Sequence, residues 1–185
     1  MNTLCRSIAL GFCALAFLLP LRAQTGTASS DAVAQIRQRY AEAHEMMAYN
    51  NTSLETQNQL TVNGSFMCPG TGHRDEQIQY FFTTDFDEDS GNYASSPYFI
   101  MRSYNVAARR FYEEFLYNNQ GDLIFSYFKG DDFEGGTAEC RYYWNDGGEL
   151  VHKQIQGQPE QDPVLTCRLS YDLLEAFHRL MNREF

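Results

Sequence analysis

The chain has 185 residues and carries 24 Asp and Glu against 14 Lys and Arg, a formal charge of −10. A polyanion repels phosphate backbones and anionic lipid, which excludes nucleic acid and membrane surfaces as natural partners. The length suits one domain with its own core. No metal-ligand cluster, phosphate-binding glycine loop or convergent nucleophile set stands out, so the sequence calls for no cofactor and no catalytic residue.

The N-terminus has Arg6 as its only early charge, then the apolar run Ile8 to Leu19, then Pro20 and the small residue Ala23. That order is a secretory signal peptide, too short to stay as a membrane anchor. Removal of residues 1–23 would leave 162 residues beginning at Gln24, with a charge of −12 because Arg6 and Arg22 leave with the leader. Cys13 follows Phe12 in the middle of the apolar run and Cys5 precedes it, which is the wrong place for a lipid anchor. The expectation is an exported protein, periplasmic or extracellular, with no membrane insertion after cleavage. Cys68, Cys140 and Cys167 remain, an odd number whose spacing names no disulfide pair.

Residues 24–30 read as a flexible polar lead. From Asp31, Val33, Ile36, Tyr40, Ala43 and Met47 recur every three or four residues, an amphipathic helix capped by Ser29 or Ser30 and ending at Asn50-Asn51. His44 lies beside that stripe as a boundary residue. Asn58 to Met67 alternates around Leu60, Val62 and Phe66, and a second strand alternates through Ile78, Tyr80 and Phe82 after the turn Cys68-Pro69-Gly70-Thr71-Gly72. A Cys68 nucleophile with His73 as its base is the sharper reading of that turn, and it lacks a third group to orient the imidazole.

Asp85, Asp87 and Asp89 precede Gly91 in a loop resembling the first half of an EF-hand, but the glycine falls at loop position seven and Ser96 stands where a bidentate Glu is needed. A solvated acidic loop is the expectation, for this stretch and for Gly130 to Gly136. Pro97 to Tyr104 reads as a strand, with two helical turns around Asn105-Val106-Ala107-Ala108 left open. A strand break near Ala107 would put the two acidic loops at opposite ends of an antiparallel meander, with no calcium site shared between them.

Arg109 to Ile155 reads as two tandem hairpins. Their turns are Asn118-Asn119-Gln120-Gly121 and Asn145-Asp146-Gly147-Gly148, between strands rich in aromatic and β-branched residues. Glu114, Tyr117, Asn119, Gly121 and Leu123 match Glu139, Tyr143, Asn145, Gly147 and Leu150 after small offsets. Gln156 to Asp162 is a linker, and Asp162-Pro163 or Ser170 opens a last helix with Leu169, Leu173, Phe177 and Leu180 in one stripe.

The run Tyr104 to Tyr117, with Gly121-Asp122-Leu123-Ile124-Phe125 and Glu139-Cys140-Arg141-Tyr142-Tyr143, resembles a group of uncharacterised secreted proteins of Bacteroides-type gut bacteria. In that group an "F-L-Y-x-x-x-G-x-L-I-F" hairpin precedes an "E-x-R-Y-Y" strand. The resemblance implies an exported bacterial protein and carries over no site residue.

The order of elements predicts a single α+β domain over residues 31–185, an antiparallel meander of about six or seven strands with an N-terminal and a C-terminal helix on one face. Along the central hairpin Phe111, Phe115 and Tyr117 point one way, and Tyr112 and Leu116 the other. Both faces are therefore partly apolar. Either both are covered, with helices on one side and loops on the other, or a tyrosine-rich face is left for contact with protein or glycan, which makes Tyr112, Tyr117, Tyr127, Tyr142 and Trp144 the candidate binding residues. The adjacent carboxylates Glu113 and Glu114 cannot act as an acid and base pair from one strand, because they face opposite sides. The functional expectation is a secreted, non-catalytic binding or interaction domain of unknown ligand, with a secreted enzyme of unrecognised carboxylate site, or a calcium-dependent binding module, as the alternative.

Overall fold

A computed structural model of the chain describes residues 25–52, 58–88, 91–131, 135–159 and 161–181. The predicted leader, residues 89–90 and residues 132–134 lie outside them. Helix α1 (Thr25–Thr52) is followed by strands β1 (Gln59–Cys68), β2 (Gly72–Asp87), β3 (Asn92–Val106), β4 (Arg109–Tyr117), β5 (Leu123–Asp131), β6 (Thr137–Trp144) and β7 (Leu150–Gln156), then helix α2 (Pro163–Met181). The strands form one antiparallel sheet in sequence order. Pro97 to Tyr104 is strand, and the chain turns at Ala107-Ala108, with Ala107 at a φ of 54°. The connections after β2 and β5 therefore lie at opposite ends of the sheet, as a break near Ala107 requires.

The helices do not share a face. One apolar cluster joins Leu173, Leu174 and Phe177 of α2 to Tyr80, Ile100, Phe115, Tyr117, Tyr142 and Trp144. The other joins Val33, Ile36, Ala43 and Met47 of α1 to Phe81, Phe99, Leu116, Phe125 and Tyr143. The expected single helical layer is thus corrected to one helix on each side. The reason is the side-chain alternation: consecutive residues Tyr80-Phe81, Phe99-Ile100, Phe115-Leu116 and Tyr142-Tyr143 are apolar on both faces, and each face needs its own cover.

Helix α1 takes in residues 25–30, which the sequence reads as a flexible lead. Extending a formed helix adds a hydrogen bond for each residue ordered, so the serines at 29 and 30 do not have to end it. Helix α2 opens at Asp162-Pro163. The Asp162 carboxylate accepts from the backbone N–H groups of Val164 (2.8 Å) and Leu165 (3.2 Å), and Pro163 occupies the first helical position. Ser170 lies inside the helix, buried against the sheet.

The two-copy repeat is real at the level of structure, with a different alignment. Asn118 N–H donates to Asp122 O (2.9 Å) and Gly121 N–H to Asn118 O (3.0 Å), and Asn145 N–H donates to Glu149 O (3.0 Å) and Gly148 N–H to Asn145 O (2.9 Å). The register shifts fall between Leu116 and Tyr117 and between Tyr143 and Trp144. One offset of 27 residues therefore matches Tyr117, Asn118, Gly121 and Leu123 to Trp144, Asn145, Gly148 and Leu150. Gly121 and Gly148 both hold the left-handed φ of this turn, 84° and 76°, which a side chain would strain. A third shift lies between Phe81 and Phe82. Each hairpin thus carries one extra residue at the same level of the sheet (Tyr98, Ile124, Val151), and Phe82, Tyr117 and Trp144 all turn under α2.

Candidate functional site

The strand registers place side chains of one face in rows across the sheet. On the α1 face the row Phe81, Phe99, Leu116, Phe125, Tyr143 is apolar. Helix α1 lies over it and crosses the strands: Arg37 meets the Tyr143 ring, Tyr40 the Phe125 ring and His44 the Phe99 ring. The next row is Thr61, Gln79, Met101, Glu114, Tyr127, Arg141, Gln154, and the one beyond is Asn63, Gln77, Ser103, Tyr112, Lys129, Glu139, Gln156. A last row holds Ser65, Asp75, Asn105, Arg110 and Asp131, closed by the Asp75 N–H to Asn105 Oδ1 bond (2.7 Å) and the Arg110 N–H to Asp131 Oδ2 bond (2.8 Å). Among the described residues of these rows most side chains are polar. Thr61, Asn63, Ser65, Asp75, Gln77, Ser103, Arg110 and Lys129 are exposed.

Two hollows open on this half-face. A larger one of about 580 Å³ is lined by Asn63, Ser65, Asp75, Gln77, Ser103, Asn105 and Arg110 on β1 to β4. A smaller one of about 350 Å³ lies against α1 and is lined by Ile36, Arg37, Tyr40, Phe125, Tyr127, Arg141 and Tyr143. The larger is a broad depression open to solvent, and the smaller is more enclosed. The walls are held in place by hydrogen bonds of their own. Gln77 Nε2 donates to Asn63 Oδ1 (3.0 Å), and Asn105 Nδ2 donates to the carbonyls of His73 (3.0 Å) and Ala107 (3.0 Å).

Between the hollows sits Glu114, 5 % exposed, with one carboxylate oxygen accepting from Tyr40 OH (2.7 Å) and the other from Tyr112 OH (2.6 Å). Burial first, and the bond to Glu114 second, push both phenols well above their usual value, so they remain protonated donors. Each Glu114 oxygen thus holds one phenol, and the carboxylate links α1 to β4. The Tyr112 and Tyr127 rings meet edge to face at 6.3 Å, and the Arg141 guanidinium lies 4.7 Å from the centre of the Tyr127 ring. Arg141 also pairs with Glu139 at 3.2 Å. Burial pushes the Glu139 carboxyl up, and Tyr127, Lys129 and Arg141 together outweigh it, leaving the group below the usual carboxylate value.

The five aromatic residues singled out from the sequence divide between the faces. Tyr112 and Tyr127 are half-buried on the polar half-face. Tyr117, Tyr142 and Trp144 belong to the core under α2, at 4 %, 1 % and 4 % exposure, where Tyr117 OH donates to Ser170 O (3.0 Å) and Tyr142 OH to Gln161 O (2.8 Å). Those three present no surface to a partner, because α2 and its linker cover them. Glu113 faces away from Glu114, as alternation demands. It accepts from Arg102 Nη1 (2.8 Å) and Gln161 Nε2 (3.0 Å), and Arg102 also binds Glu76. Burial raises the Glu113 carboxyl, against the pull of Arg102.

Cys68 and His73 stand on opposite faces of the β1–β2 ladder, since Cys68 pairs with Gly72 and His73 with Met67. His73 Nε2 lies instead 3.3 Å from Ser65 Oγ and 2.9 Å from Asp75 Oδ1. A serine relay needs the two partners on different ring nitrogens, so this exposed trio is not a nucleophile site. Cys68, Cys140 and Cys167 are free thiols, and burial pushes Cys140 up to about 11. Of the acidic loop, Asp85 is exposed at the end of β2, and Asp89 lies outside the described residues. No group of three or more His, Cys, Asp or Glu side chains able to hold a metal occurs among the described residues.

The residues that line the larger hollow were not picked out from the sequence. Their signal is the polar half of the alternation, Thr61-x-Asn63-x-Ser65 against Asp75-x-Gln77-x-Gln79. Alternation of that kind says only that one side of a strand is wet. Comparison with protein-family models, with curated proteins and with solved structures finds no match to this chain.

Proposed function

We propose that the chain is an exported, non-catalytic binding domain that receives an extended ligand on the polar half of the α1 face. The observation that carries this reading is the run of exposed polar side chains crossing β1 to β6 with two hollows set into it, beside a helix that covers the apolar row and reaches the next only at Glu114, Tyr127 and Arg141. A sheet face left wet for solubility alone needs no hollow and no pinned amides. Asn105 is fixed by three hydrogen bonds and Glu114 by two phenols, an ordering that lowers the conformational cost of binding. Export is supported by the order of charge, apolar run and small residue before Gln24. Among the described residues no helix is long and apolar enough to cross a membrane.

The test is a screen of the exported protein against arrayed glycans and a displayed peptide library, repeated with Gln77→Ala and Ser103→Trp. Both positions are exposed, so the substitutions spare the core. Hits should be lost in both variants and kept in Asp172→Ala, which alters the exposed side of α2. Hits that survive Gln77→Ala and Ser103→Trp unchanged would place the binding surface elsewhere.

A further inference from the structure

We infer that the ligand of this half-face is a neutral, linear oligosaccharide laid across the strands from Asn63 on β1 to Tyr127 on β5, an inference that rests on the binding reading above. Charge is the first argument. The chain as a whole is at −10, yet on this face Arg37, Arg110, Lys129 and Arg141 stand against Asp75, Asp131, Glu114 and Glu139. Among the described residues of this face the charges balance, so it has no local excess of either sign to recruit a charged chain.

Chemistry is the second. Beyond the bond they share, Asn63 and Gln77 each keep an amide donor and an amide acceptor, Asn105 keeps only a second lone pair on Oδ1, and Ser65 and Ser103 add hydroxyls. Sugar hydroxyls donate and accept at every ring, so a set of mixed donors and acceptors matches them. An extended peptide finds its partners differently, by adding a strand to a free sheet edge, where backbone groups are unpaired. Here the backbone of β2 to β6 is engaged in ladders on both sides, and only side chains are on offer. A folded protein partner would want an apolar centre in the contact, and the apolar side chains around the larger hollow, Met67, Met101 and Tyr112, are scattered among polar ones with no such centre.

Geometry is the third. Successive strands lie about 4.8 Å apart, so Asn63 to Tyr127 spans four steps, about 19 Å, the reach of several linked rings and not of one. Tyr112 and Tyr127 close that path as half-buried rings, and an aromatic ring gives the apolar face of a sugar a flat surface to rest on.

Calorimetry of the exported protein with linear neutral hexasaccharides of glucose, mannose and xylose, the corresponding monosaccharides and hexagalacturonate tests the assignment. At least one neutral hexasaccharide should bind, about tenfold or more tighter than its monosaccharide and than hexagalacturonate, and lose about tenfold or more in Gln77→Ala and in Ser103→Trp. Asp172→Ala should bind it unchanged. Binding of hexagalacturonate alone, or of none of the neutral chains, would overturn the assignment. Selected peptides that bind and are lost in the same two variants would also overturn it while leaving the binding face standing. Peptides and sugars that all ignore the two variants would overturn both.

Discussion

Glu113 and Glu114 are neighbours in sequence, buried at 3 % and 5 % exposure, and serve different halves of the molecule. Glu114 anchors α1 to the sheet through Tyr40, and Glu113 binds the linker before α2 through Gln161. Their surroundings give opposite pH signatures to Glu113 and to Glu139, the carboxylate beside Tyr127. Burial raises Glu113, so the folded chain holds its proton more tightly than the unfolded one does; the associated stability is full below the unfolded value of 4.5 and is lost as pH rises through the folded value. Glu139 is lowered, so its contribution is present above 4.5 and is lost as pH falls through its folded value. Urea midpoints of Glu113→Gln should therefore shift in the variant's favour, relative to the parent, as pH is raised from roughly 4.5 to 7. Those of Glu139→Gln should shift in the variant's favour as pH is lowered from 4.5, the unfolded value. Parallel pH profiles for both variants and the parent would contradict the two environments.

Two connections carry their own tests. Ala107 holds a φ of 54°, where a Cβ costs about 1 kcal/mol or more, so Ala107→Gly should raise the unfolding free energy by up to about 1 kcal/mol despite the added freedom of the unfolded chain. A loss of stability on that change would mean the turn is not left-handed at 107. Asp162 caps α2 through two N–H groups, and Asp162→Ala should cost about 1 kcal/mol by denaturant titration, with the sheet's spectral signature intact. Both features sit where the sequence offered alternatives. The strand break near Ala107 was legible because Asn105 to Ala108 interrupts two aromatic runs, and the start of α2 was legible as Asp-Pro. The start of α1 was not, since Ser29 and Ser30 form a capping signal that the helix runs through.

With a helix on each side, the sheet is the shared wall of two cores. Phe115 lies in the α2 core and Phe125 in the α1 core, at 1 % and 5 % exposure. Replacing either with Ala should cost about 3 to 5 kcal/mol, because a buried ring is lost and a cavity is left. A surface change such as Asp172→Ala should stay within about 0.5 kcal/mol. If only one of the two Phe variants moved the denaturation midpoint, one face of the sheet would not be a core. The same division accounts for the polar half-face. Helix α1 spends its apolar stripe on the row from Phe81 to Tyr143, and the rows beyond it are mostly polar, with Met101 and Tyr127 packed only partly against that core.

The amino-acid sequence determined on its own the α+β class, the antiparallel meander and the opposite facing of Glu113 and Glu114, while the break near Ala107, and with it the acidic loops at opposite ends, stood in it as one of two readings. All of these follow from local periodicity, two residues in a strand and 3.6 in a helix, and from turn chemistry. The tertiary structure decided which face each helix covers, that Tyr117, Tyr142 and Trp144 are core while Tyr112 and Tyr127 stand on the polar half-face, and that Asn63, Gln77, Ser103 and Tyr112 stand in one row. An apolar stripe tells a helix to dock but not on which side, and alternation tells a strand which residues share a face but not what lies above them. Those answers come from pairing between residues far apart in the chain, which no local period encodes.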